Sequence, residues 1–154
     1  MKSFLRKILL FLLLTACLLG CISPAAAAEV PDPGISPQAS DFFNEIRYEA
    51  SPIGNGKLHI YFKVRATCTM AKLGATSVAI YKELPNSAGY SMVHSYNAYS
   101  NPPTLGTNVL VFSFSTDYSA DVGANYYASF AFYAQKSDGS DETEYYYSLV
   151  VKIT

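Results

Sequence analysis

Tryptophan is absent from the 154 residues, histidine occurs only at His59 and His94, and the three cysteines are Cys17, Cys21 and Cys68. Each shortage removes a class of chemistry. Cys17 falls in a leading apolar run, and Cys21 just after it is either removed with that run or lipidated, so Cys68 has no partner in the mature chain and a disulfide framework is excluded. An exposed thiol is a liability in an oxidising compartment, and Cys68 is therefore expected to be buried, or the habitat anaerobic. Two histidines far apart in sequence are a poor stock for a zinc site or for activating a cysteine. No G-x-S-x-G, H-E-x-x-H or Gly-rich phosphate loop is present. Catalytic residues, metal ligands and cofactor are each expected to be none. With 11 Lys and Arg against 12 Asp and Glu, the chain lacks the basic excess that nucleic acid demands.

Long apolar runs are also lacking, with one exception. Residues 1–7, MKSFLRK, carry three basic side chains and precede an uncharged stretch from Ile8 to Leu19. That stretch falls short of the roughly 20 residues of a spanning helix, and Pro24 breaks any continuation, so it reads as an export signal. Two processing sites compete. Ala28 closes a small-residue motif, Ala-x-Ala, before Glu29; Leu18-Leu19-Gly20-Cys21 has the form of a lipobox, in which Cys21 is lipidated and becomes the new N-terminus. The expected division is 1–28 signal peptide, 29–40 extended Pro-rich leader and 41–154 a single β-sandwich domain. No membrane span is expected in the mature chain, although a lipid anchor through Cys21 stays open.

What is present is period-2 alternation. Leu58, Ile60, Phe62, Val64 and Ala66 alternate with His59, Tyr61, Lys63, Arg65 and Thr67, which predicts a strand with one buried and one wet face. Tyr126, Ala128, Phe130, Phe132 and Ala134 alternate with Tyr127, Ser129, Ala131, Tyr133 and Gln135 in the same way. Further strands are expected over 41–50, 75–84, 90–99, 108–116 and 144–153. In these, Tyr90, Met92, His94 and Tyr96 share one side, and Leu110, Phe112 and Phe114 point inside. Residues 68–74 are read as a connection crossing between sheets, 100–107 as a loop and 136–143 as a hairpin loop. The acids of that loop, Asp138, Asp141, Glu142 and Glu144, do not have calcium-loop spacing and read as a solvated turn. Asp121 and Gly123 just ahead of Tyr126 have the form of a tyrosine corner. About seven strands with this spacing of turns predict an all-β, antiparallel Greek-key β-sandwich. Without the strand-C Trp and the cysteine pair, it is closer to fibronectin type III than to a true immunoglobulin domain.

Several blocks taken together resemble a known family: Ser36–Ser40 after the leader, Gly54-Asn55-Gly56-Lys57-Leu58, Thr69-Met70 with Leu73-Gly74-Ala75 and Ile80-Tyr81, then Gly123 to Tyr127 and the final strand. They are similar to small secreted proteins of Gram-positive bacteria, clostridia especially, that form a domain family of unknown function. The resemblance spans nearly the whole mature chain. It implies export and an immunoglobulin-like or fibronectin-like β-sandwich, and it brings no catalytic residues.

The one surplus is aromatic, with 13 tyrosines. In Tyr145-Tyr146-Tyr147 at least one ring must point outward. Tyr127, Tyr133, Tyr145 and Tyr147 are the candidate binding patch if they share a wet face, against the simpler expectation that such rings only pair across strands. The function expected from these observations is a secreted, non-enzymatic module that works by surface contact with an unknown protein or a cell-envelope polysaccharide. The alternatives are a Cys21-anchored structural or self-associating surface component, and a small envelope hydrolase or its inhibitor.

Overall fold

The computed structural model describes residues 40–154; the expected signal peptide with Cys21 and Ala28, and the expected leader up to residue 39, lie outside the described residues. Seven strands form one antiparallel sheet: β1 (Phe43–Gly54), β2 (Lys57–Glu83), β3 (Tyr90–Asn97), β4 (Leu105–Ser119), β5 (Asn125–Gln135), β6 (Asp141–Tyr147) and β7 (Val151–Lys152). No α-helix occurs among the described residues; a single 3-10 turn, Pro85–Ser87, links β2 to β3.

β2 organises the rest. Its 27 residues would span about 90 Å if straight, several times the radius of gyration of roughly 13 Å expected for a chain of about 100 residues. It must therefore coil, and it changes partners as it does so. The first half pairs with β1 on one side and β4 on the other; β4 follows it round the corner as far as Gly74, β5 takes over the β1 side from Lys72, and β3 takes over the β4 side from Ser77. The change comes where Ala66, Thr67, Cys68 and Thr69 lie between the β4 pairings of Arg65 with Val111 and Met70 with Val109. Residues 68–74, expected as a connection between sheets, are thus strand. They carry the chain from one half of a curled sheet to the other without leaving it. Cys68 sits on this corner and is exposed, which corrects the expectation of a buried thiol.

Curling brings the inner faces of the halves together. Phe62 of β2 lies 5.4 Å from Phe114 of β4 and 5.3 Å from Phe132 of β5, ring centre to ring centre. Tyr48 of β1 reaches Phe130 at 5.3 Å and Tyr146 of β6 at 5.2 Å. The alternating positions of β2 and β5 supply this core, with Leu58, Ile60, Val64, Tyr126, Ala128 and Ala134 all buried. Burying each large apolar side chain contributes about 1.5–3 kcal/mol, against an entropy cost of ordering that takes back most of the sum.

The corner before β5 forms as its residues require. Gly123 takes φ +85, and the Tyr126 hydroxyl accepts a 3.0 Å hydrogen bond from the Asp121 backbone N–H. Thr154 and Ile153 close the same end: Gly56 N–H donates to the Thr154 carbonyl and Gly123 N–H to that of Ile153. Elsewhere, irregularities revise the simple alternation. A register shift between Ile80 and Tyr81 leaves Val93 unpaired, so Tyr90 and Met92 face outward while His94 and Tyr96 turn toward Tyr118 and Phe114. Leu110, expected inside, falls at the β2 corner and is exposed. The expected final strand is broken at Ser148, whose Oγ accepts the Ala128 N–H and donates to the Leu149 carbonyl; β7 then resumes pairing with β5. The hairpin loop is shorter than expected, since β6 begins at Asp141.

Candidate functional site

Cross-strand register defines the outer face of the β3, β2, β5 and β6 half. Met92, Tyr81 and Tyr127 lie in one row; Ser95, Ala79, Ser129 and Tyr147 in the next; then Ser77, Ala131 and Tyr145. Small residues form the floor, and Ala79 is buried beneath its neighbours. Tyrosines rise from it. Tyr145 and Tyr147 point outward while Tyr146 turns in, as alternation demands.

Ring geometry determines what this face offers. Tyr81 and Tyr127 stack with centres 4.8 Å apart and planes within 4°. That separation equals the spacing of adjacent strands, so the two rings stand upright on the sheet, faces turned to each other. Tyr90 meets Tyr127 edge to face at 4.9 Å, and Tyr147 leans against it at 6.3 Å. What the stacked pair presents to solvent is therefore ring edges and hydroxyls. Burial holds the Tyr127 hydroxyl above the ordinary tyrosine pKa, with its neighbours Tyr81, Tyr147 and Tyr90 adding to the shift. Tyr90 is raised first by burial and then by Glu83.

Of the four residues picked from sequence, the structure brings Tyr127, Tyr145 and Tyr147 onto one patch. Tyr133 extends the same face: it lies six residues along β5 from Tyr127 but diagonal to Tyr145, since Tyr133 pairs with Thr143 and Ala131 with Tyr145, and its hydroxyl donates to Asp141 Oδ2 at 2.9 Å. Sequence reasoning missed Tyr81, Tyr90 and Met92. Alternation left open which side of its strand Tyr81 takes, and only the β2–β5 register shows that it faces outward beside Tyr127.

The other half of the sheet carries a second polar constellation. His59 Nδ1 lies 2.7 Å from Asp117 Oδ1, and Ser115 Oγ lies 3.5 Å from His59 Nε2. The order Ser, His, Asp is that of a hydrolase relay, and sequence spacing gave no sign of it. The row crosses an open sheet face. The row acts as a cross-strand polar pair between β2 and β4. Among the described residues, no group of three or more His, Cys, Asp or Glu is placed to hold a metal ion. No family model matches the chain, and no curated protein matches it.

Proposed function

We propose that the protein is an exported, non-enzymatic contact module whose tyrosine face binds a protein surface. The observation that carries this reading is the upright Tyr81–Tyr127 stack flanked by Tyr90, Tyr145 and Tyr147 over a floor of Ala and Ser. Rigid tyrosines set among small polar residues are the composition of protein-binding paratopes, because tyrosine gives large amphipathic contact at low entropic cost. A sugar platform needs ring faces turned to solvent, and the upright stack turns edges and hydroxyls outward instead. That geometry favours protein over envelope polysaccharide.

Two finer readings go with it. The curled sheet is taken as a Greek-key sandwich of the fibronectin type III kind, supported by the Tyr126 corner and by the packing of Tyr48 and Phe62 against β5. Export is taken from the basic and apolar N-terminus and from the resemblance to secreted clostridial proteins, with cleavage after Ala28. Intact mass of the exported protein tests the last point: a chain beginning at Glu29 supports it, and a diacylated Cys21 replaces it with the anchored form.

The test of binding is capture by immobilised protein from envelope extract of the producing cell. Capture abolished by protease, preserved after periodate oxidation of glycans, and lost in a folded Tyr81→Ala/Tyr127→Ala variant is the expected result. Capture that survives protease and is destroyed by periodate would move the assignment to polysaccharide.

A further inference from the structure

Among the described residues β1, β3, β4 and β6 are each bonded on one side only. A one-sided strand is a template for another chain, and proteins guard such edges with charges, prolines, bulges or shortness. Three of the four are guarded. β1 carries Glu45, Arg47, Glu49 and Pro52; β6 carries Asp141, Glu142 and Glu144; β3 is short and bulged at Val93. β4 is the least guarded: its 15 residues include one charge, Asp117, and the extra residues of its one register slip, opposite Leu110, lie in β2 and not in β4. From Val109 to Ser115 it reads Val-Leu-Val-Phe-Ser-Phe-Ser, with no charge, proline or glycine, which is the composition that pairs edge to edge. Leu110 and Val111 are 39% and 40% exposed on it.

We propose that β4 is a homodimer edge, pairing antiparallel with β4 of a second copy so that one sheet runs through both molecules. The occupant follows from charge. An edge addition requires an extended strand, and seating β1 or β6 against β4 would press their carboxylates onto uncharged backbone and side chains. β4 itself is the long edge that meets β4 without burying a charge. Like meeting like makes the contact isologous and closed, so it stops at two copies rather than growing into a fibre. Asn108, at φ +55, bends the strand at one end of the clean stretch and Asp117 bounds the other. Taken over Val109 to Ser115, the pairing is centred on Phe112, with Val111 of each copy opposite Ser113 of the other. This surface is separate from the tyrosine face, and either proposal stands without the other.

Sedimentation velocity of the purified protein over a concentration series tests it. Wild type is expected at dimer mass and Val111→Glu, whose new carboxylate has Arg65 beside it across β2, at monomer mass. Val111→Thr, uncharged and suited to a strand, keeps the dimer. Thermal melts of the variants confirm that each is folded. Wild type at monomer mass throughout, or a dimer that persists in folded Val111→Glu, overturns the proposal. A dimer lost instead in Tyr81→Ala/Tyr127→Ala overturns it too, because the interface would then be the tyrosine face.

Discussion

The two outer faces of this sheet share a strand and a solvent, and they are chemically opposite. Over the first half of β2 the outward rows are Glu45, Arg65 and Val111, then Arg47, Lys63 and Ser113, then Glu49, Tyr61 and Ser115, then Ser51, His59 and Asp117. Over the second half they are tyrosine, serine and alanine. Contact with water is satisfied by the first solution, at little energetic cost and with good solubility. The second solution is therefore not needed for folding. A contiguous, charge-poor aromatic patch rimmed by polar residues is how an interaction site differs from ordinary surface.

Four interventions break or sharpen the contrast. Phe132→Ala removes a ring shared by both halves, and is expected to cost about 3–5 kcal/mol, degrading both faces together; urea unfolding measures it. Tyr81→Ala/Tyr127→Ala is expected to weaken partner binding by about 2 kcal/mol or more, roughly 30-fold. In stability the lost stack costs about 0.5–1.5 kcal/mol on top of the ring area it buries, and calorimetry of binding and of unfolding reads the two effects separately. Alkaline pH gives a graded version. The hydroxyls of Tyr127, Tyr90 and Tyr133 on this face, and of Tyr48, Tyr118 and Tyr146 within, all lie above the ordinary value of 10.0. Folded tyrosines keep protons that the unfolded chain has lost, so stability is full below pH 10 and declines as pH rises past it. The urea midpoint followed with tyrosinate absorbance at each pH reads this directly; a midpoint that does not fall above pH 10 contradicts it. Smallest of all, Lys63→Ala/Arg65→Ala on the charged face is expected to change stability by about 0–1 kcal/mol and to leave partner binding unchanged.

The contrast was only half legible in the chain. Strict alternation in 58–67 and 126–135 announced the inner faces, and Asp121, Gly123 and Tyr126 announced the corner, because these signals are local. The β2–β5 register that sets Tyr81 beside Tyr127, and the β2–β4 register that sets His59 between Ser115 and Asp117, join residues 46 to 58 positions apart, and no local pattern encodes them. Bulges hid the rest: one unpaired residue at Val93 reverses the faces of β3, and Ser148 interrupts a strand by substituting its hydroxyl for a ladder bond. Alternation counted without those slips put Leu110 inside and set Met92 on the same side as His94 and Tyr96.

Hydroxyl-radical footprinting of the protein with and without its captured partner tests the central assignment most directly. Oxidation of Tyr81, Tyr90, Met92, Tyr127, Tyr145 and Tyr147 should fall in the complex, while His59 and Tyr61 on the charged face keep their free rates. Protection of His59 and Tyr61, with the tyrosine face still reacting as in the free protein, would place the contact on the wrong half of the sheet for this account.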